Sequence, residues 1–206
     1  LSEGTGSSTP TVRQKMDTVK VQQRQDYLSN PYQPAEARPM DLVHTKLRIE
    51  PDWQDEELKG EATLTITPHF YPQDSVVVDA HNFDLHKVML KDSINNVEVS
   101  YRYDTQKLVV QLPETYYRTD TAKLFLDYTA RLTNLKADNS VAGSNGMFFI
   151  NADGKVPGKP KQIWTQGETE YSSHWFPTFD QPNQKTTQEV FITVDTAYQT
   201  LSNGKK

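Results

Sequence analysis

From Asp41 onward, apolar residues recur with a period of two, and between these runs no stretch carries the three-to-four spacing of a helix. Successive side chains of a strand point to opposite faces, so this alternation belongs to half-buried β-strands. The clearest run is Lys123–Leu132, which puts Leu124, Leu126, Tyr128, Ala130 and Leu132 on one face and Lys123, Asp127, Thr129 and Arg131 on the other. Leu42–Ile49 alternates less regularly, Trp53–Gly60 reads as a turn region, and Leu64 and Ile66 then stand between Thr63, Thr65 and Thr67. Val76–Val78 and Val88–Leu90 are short continuous apolar strands. Asp92-Ser93 and Asn95-Asn96 mark a hairpin turn, and Val97, Val99, Tyr101 and Tyr103 form the return strand. Leu108–Leu112 stops at Pro113, and Met147–Ile150 leads into a turn at Asn151–Gly154. The last strand is Glu189–Asp195, with a partner expected to begin at Leu201. Roughly ten short strands spaced about 8–12 residues apart predict an all-β fold, an antiparallel sandwich or open saddle.

Residues 1–40 read differently. Leu1–Thr9 is rich in Gly, Ser and Thr, and reads either as the tether left by a processed signal or lipid-anchor segment, which would put the protein outside the cytoplasm, or as a plain chain boundary. Val12, Met16 and Val19 make a weak helical stripe between Pro10 and Leu28, with Ser8 or Thr9 as N-cap. Ser29-Asn30-Pro31 ends it, and Pro31, Pro34 and Pro39 make an extended connector. The expected organisation is a polar extension over 1–40 and a β domain over 41–206.

Composition narrows the chemistry. The 22 basic and 27 acidic residues are interspersed and leave a net charge of −5, so the clustered basic face of a nucleic-acid binder is missing. With no cysteine, disulfides, thiolate zinc sites and cysteine nucleophiles are excluded together. No apolar run approaches the roughly 20 residues of a transmembrane helix. None of His44, His69, His81, His86 and His174 belongs to a His-Glu-x-x-His motif. His81 and His86, five apart near a strand end, are expected to face opposite ways rather than share a metal. Gly-x-Ser-x-Gly and a Walker loop are also missing. Lys155, Lys159 and Lys161 read as a solvated hairpin tip, and Asn151-Ala152-Asp153-Gly154 as a turn rather than a calcium loop.

The segment 164–182 breaks the alternation. It holds two of the three tryptophans together with Gln166, Glu168 and Glu170. A carboxylate in a cleft can hold an ammonium by a charge-assisted hydrogen bond of about 1.5–3 kcal/mol, and a neighbouring glutamine offers a neutral acceptor. The same residues could equally line a solvent-facing loop.

Several stretches taken in order shift that balance. Leu47-Arg48-Ile49-Glu50-Pro51-Asp52-Trp53 and Leu58–Ile66 resemble the opening strands of the N-terminal domain of aminopeptidase N-type zinc metallopeptidases. Val76–Ala80, Gly146–Phe149, Thr165-Gln166-Gly167-Glu168, Trp175–Pro182 and Ser202-Asn203-Gly204 resemble further segments of that family, in the same order and spacing. The resemblance covers about Asp41 to Lys206.

It implies a β saddle packed against a following thermolysin-like catalytic domain, which carries the zinc helix. The parent would remove N-terminal residues from peptides by a zinc-activated water. This chain would hold no catalytic residue and no metal ligand, and would be inactive alone. By the resemblance, Gln166 and Glu168 reach into the neighbouring zinc site and bind the peptide's free α-amine. Two departures stand out: Ser173 replaces an arginine found in many members, whose partner could be Asp180, and Thr178 replaces a cysteine. Two rival readings remain, a stand-alone β-sandwich binding or adhesion module and a catalytically dead relative serving as a scaffold.

Overall fold

A computed structural model describes residues 37–91, 96–132 and 146–205. The helix expected over Pro10–Leu28 and the turn at Asp92–Asn95 lie outside the described residues. Eleven strands are present among the described residues: β1 (Met40–Asp52), β2 (Glu57–Pro68), β3 (Gln73–Asp79), β4 (Phe83–Lys91), β5 (Asn96–Glu98), β6 (Tyr101–Tyr103), β7 (Lys107–Tyr116), β8 (Ala122–Arg131), β9 (Met147–Ile150), β10 (Gln162–Thr165) and β11 (Thr187–Ile192). No α-helix occurs among the described residues; Ser172–His174 forms one 3₁₀ turn. The all-β expectation therefore holds.

The strands form a six-stranded sheet in the order β11-β1-β2-β8-β4-β5, a three-stranded sheet β3-β7-β6, and the hairpin β9-β10. One hydrophobic core joins Leu47, Leu64, Leu124 and Leu126 of the large sheet to Val76, Val78, Leu108 and Val110 of the small one. Along β8, Leu124, Leu126, Tyr128 and Ala130 are all buried, as the alternation requires. Its other face is not wholly polar: Phe125 is also buried, beneath the Lys91 ammonium 3.6 Å from the ring centroid.

Five strand expectations need correction. The sheet is not purely antiparallel, because β11 pairs with β1 in parallel, Leu47 beside Val190 and Ile49 beside Ile192. The expected partner at Leu201 does not pair with it, and Leu201 is exposed. The return strand Val97–Tyr103 is two strands: β5 adds to β4 in the large sheet, while β6 pairs with β7 in the small one. Pro113 does not end β7. The β3–β7 register jumps between Gln73/Tyr116 and Ser75/Gln111, so Pro113 lies in a bulge, where a residue without an N–H is tolerated. Finally, Gln162–Thr165 pairs with β9, where no strand was expected.

Gly60 stands opposite Tyr128 in the β2–β8 ladder and makes room for it. A Cβ at Gly60 would stand 2.4 Å from Cζ of Tyr128. The missing side chain leaves room for the phenol ring, which stacks on Phe83 at 4.7 Å and is fully buried.

Candidate substrate-amine site and its supporting loop

The site is built on the β9–β10 hairpin. Its register sets Thr165 opposite Met147, Trp164 opposite Phe148 and Ile163 opposite Phe149. The turn joining the strands is ordered by Asn151, whose φ of 51° is a left-handed conformation that asparagine tolerates. Its Oδ1 accepts from the Val156 N–H at 3.0 Å, and its Nδ2 donates to the Lys159 carbonyl at 2.6 Å. The turn expected at Asn151–Gly154 is present, with the Gly154 N–H donating to the Asn151 carbonyl at 2.9 Å. Lys155 and Lys159 are exposed at the tip, whereas Lys161 lies 4.9 Å from the Trp53 ring centroid. Lys161 therefore belongs to a packed face rather than to the solvated tip.

Beyond Thr165 the ladder continues one step, because the Gln166 N–H donates to the Gly146 carbonyl at 2.8 Å. The chain then folds back on itself. The Tyr171 N–H donates to the Gly167 carbonyl at 3.1 Å, and a Cβ at Gly167 would meet the Ser172 hydroxyl at 2.5 Å. Gly146 has a φ of 71°, and a Cβ there would stand 2.1 Å from the Tyr171 carbonyl oxygen. Two glycines thus allow the loop 166–172 to close tightly over the end of the hairpin. Gln166 is half-buried, while Glu168 and Glu170 are exposed. The Glu168 carboxylate has no hydrogen-bond or ion-pair partner among the described residues.

Behind the loop lies a polar network that fastens it to the core. Asp79, at the end of β3, exchanges both backbone hydrogen bonds with Thr178, at 2.8 and 3.1 Å. Asp79 Oδ2 accepts from the Asp180 N–H at 2.9 Å, and its other oxygen pairs with the Lys107 ammonium. Asp180 Oδ2 accepts from the N–H of the fully buried Ser173 at 2.8 Å. Asp180 is thus met by the backbone N–H of Ser173. His81 Nδ1 and the Ser173 hydroxyl share a hydrogen bond of 2.9 Å, and the His174 ring packs against His81 at 4.6 Å. Burial pushes the His81 imidazole below its ordinary value, with nearby Asp79 pulling the other way. Burial also holds the Asp180 carboxyl above the usual carboxylate range, against the bond from Ser173. His86 bonds instead to the Thr129 hydroxyl at 2.9 Å. Sequence reasoning did not find this network, since Asp79, His81, Ser173 and Asp180 share no local motif.

The family model described as the Peptidase M1 N-terminal domain matches residues 41–206. The chain belongs to this family. Among curated relatives, the alanine/arginine aminopeptidase of Saccharomyces cerevisiae is 24% identical over 177 residues, which is 80% of this chain and 20% of the yeast protein. The mitochondrial aminopeptidase 2 of the same yeast is 24% identical over 162 residues, 78% of this chain and 16% of its own length. Among solved structures, a two-domain M1 zinc metallopeptidase bound to L-arginine superposes with a TM-score of 0.63 at 20% identity, over 78% of this chain and 34% of that one. Native leukotriene A4 hydrolase from Saccharomyces cerevisiae superposes with a TM-score of 0.58 at 16% identity, over 81% of this chain and 26% of that one. At these identities the structural likeness bears on fold. The chain spans about a fifth of the curated relatives and about a third or less of the solved ones. Gln166 and Glu168 lie just beyond the end of β10 in this domain. The family match does not favour a stand-alone binding module.

Proposed function

We propose that the whole protein is a zinc-dependent aminopeptidase and that this domain supplies the acceptor for the substrate's α-ammonium. The observation that carries the reading is the placement of Glu168. Its carboxylate is exposed and, among the described residues, unpartnered, on a loop closed by the Gly146–Gln166 and Gly167–Tyr171 hydrogen bonds. A charge held out on a braced loop is set up for a partner supplied from outside the domain.

The chemistry follows from desolvation. Once a following catalytic domain covers the loop, a peptide's terminal ammonium pairs with Glu168, and the amide oxygen of Gln166 accepts a second N–H. An internal or N-acetylated peptide brings no ammonium, so the carboxylate would be stripped of water without compensation, at a cost of several kcal/mol. The group thereby selects free N-termini. No three His, Asp or Glu side chains among the described residues are grouped to hold a metal ion, so none of this domain's residues is assigned to zinc. Residues 1–40 are, in this reading, an extension ahead of the domain.

The test uses the whole enzyme with Glu168→Gln. Removing the charge should raise KM for unblocked peptides by about ten- to a hundredfold, the equivalent of 1.5–3 kcal/mol, and narrow the preference over N-acetylated ones. Unchanged values for both substrates would remove Glu168 from the site.

A further inference from the structure

The loop 166–172 is held at two ends. At the first, the Gln166 N–H bonds to the Gly146 carbonyl at 2.8 Å. At the second, the loop runs into the 3₁₀ turn Ser172–His174, in which Ser173 is the buried residue. Between them the Tyr171 N–H bonds to the Gly167 carbonyl at 3.1 Å, so Glu168, Thr169 and Glu170 form a single bend standing on Gly167 and Tyr171. Where the 3₁₀ turn sits therefore decides where the bend and its carboxylate stand.

The first N–H groups of a helical turn have no partner within it and need an acceptor from a side chain. Tyr171, at the N-cap position, supplies none. Asp180 does so from seven residues further along the chain, where its Oδ2 accepts from the Ser173 N–H at 2.8 Å. On the other side of Ser173, the His81 N–H donates to its carbonyl at 2.9 Å, and His81 Nδ1 shares a hydrogen bond with its hydroxyl at 2.9 Å. Asp180 is fixed in turn, because its own N–H donates to Asp79 Oδ2 at 2.9 Å and Thr178 exchanges both backbone bonds with Asp79. The acceptor that seats the turn thus belongs to the end of β3 and not to the loop. The exit of the turn is secured separately: Phe176 is buried in the core, and the Trp175 carbonyl accepts from the Tyr128 hydroxyl at 3.1 Å. Loss of the Asp180 acceptor frees the entrance, on the side of Glu168, and leaves the exit docked.

We propose that Asp180 is a positioning residue for the amine site: by capping Ser173 it fixes where the loop 166–172 presents the Glu168 carboxylate. This rests on the reading of Glu168 as the acceptor of the substrate's ammonium. A charge-assisted hydrogen bond has a narrow range of length and angle, and a site about 1 Å too loose loses much of what the bond contributes. Asp180 acts through the loop and not on the substrate itself.

A double-mutant cycle in the whole enzyme tests this. Asp180→Ala should raise KM for unblocked peptides at least about fivefold with little change in kcat. Asp180→Asn, which keeps an oxygen for the Ser173 N–H, should stay within about twofold of the parent enzyme. With Glu168→Gln already in place, Asp180→Ala should add less than about a twofold further rise, because the charge it positions has gone. Unchanged KM in Asp180→Ala, or KM effects that multiply in the double variant, would overturn the proposal. If Asp180→Ala does not fold, Asp180→Glu, which keeps the acceptor but displaces it by one methylene, takes its place in the cycle with the same expectations. The two readings fail separately. Glu168→Gln without effect on its own removes the amine role, whereas an impaired Glu168→Gln whose effect multiplies with that of Asp180→Ala removes the positioning role alone.

Discussion

The Tyr128 hydroxyl donates to the backbone carbonyl of Trp175 across 3.1 Å, so a side chain of the six-stranded sheet holds the segment that follows the loop 166–172. The ring is fully buried, which pushes its ionisation far above the ordinary tyrosine value and keeps the hydroxyl a donor. Tyr128→Phe would leave the Trp175 carbonyl without this donor. Such a loss costs about 1–3 kcal/mol. Chemical denaturation should show a lower midpoint with an unchanged slope, and an unchanged midpoint would mean that the carbonyl finds another donor.

Gly60 meets the same ring from below. The methyl group of Gly60→Ala would fall 2.4 Å from Cζ of Tyr128, far inside the contact distance of two non-bonded carbons. The ring cannot retreat, because Phe83 stacks on it. Overpacking of this kind costs about 1–3 kcal/mol. The melting midpoint should fall, while Gly158→Ala, with nothing within 4 Å of the new atom, meets no such contact.

The elements legible in the sequence are those whose pattern is set locally. β8 could be read because a buried face and a largely exposed one impose alternation on ten consecutive residues. β10 could not, since Gln162-Ile163-Trp164-Thr165 offers one apolar residue to the core, and its strand character comes from pairing with β9. The parallel seat of β11 on β1 was hidden for a related reason, because an edge strand's partner is chosen by tertiary packing. Gln166 and Glu168 were singled out only by the resemblance of Thr165–Glu168 to a family segment. The bond of Asp180 to Asp79 joins residues 101 positions apart and that of Ser173 to His81 joins residues 92 apart, and no spacing rule reaches so far.

That network should make stability depend on pH in two opposite ways. His81 has a folded pKa lowered by burial, among the charges of Asp79, Lys107, Asp180 and Asp104 and beside the His174 ring. Its neutral form is the one the fold accepts. Stability therefore declines as pH drops below the ordinary value of 6.5, and the loss is complete once pH has fallen through the lowered folded value. Asp180 has a raised folded pKa, so its contribution is full below 3.8 and is lost as pH rises through the raised value. In urea titrations across pH, His81→Gln should flatten the acid-side decline, and Asp180→Asn should flatten the rise in instability above 3.8 while keeping an acceptor for Ser173. Profiles parallel to the parent protein would show that neither group carries the linkage.

Gly146 links fold to function most directly. It combines a left-handed φ of 71° with a site where an added Cβ would lie 2.1 Å from the Tyr171 carbonyl oxygen. Gly146→Ala thus brings backbone strain of about 1–3 kcal/mol and forces the loop 166–172 outward. The movement is transmitted to the carboxylate, because the Gln166 N–H bonds to the Gly146 carbonyl and Glu168 lies two residues further on. In the whole enzyme the variant should lower the melting midpoint and raise KM for unblocked peptides, as Glu168→Gln does, with a smaller change in kcat. Gly158→Ala is the matched control. Its φ of 74° carries similar strain, yet no atom lies within 4 Å of an added Cβ, and it sits in the β9–β10 turn, at the other end of β10 from Glu168. It should lose stability and keep its KM. Equal KM effects from the two variants would mean that general destabilisation, rather than displacement of the loop 166–172, governs substrate affinity.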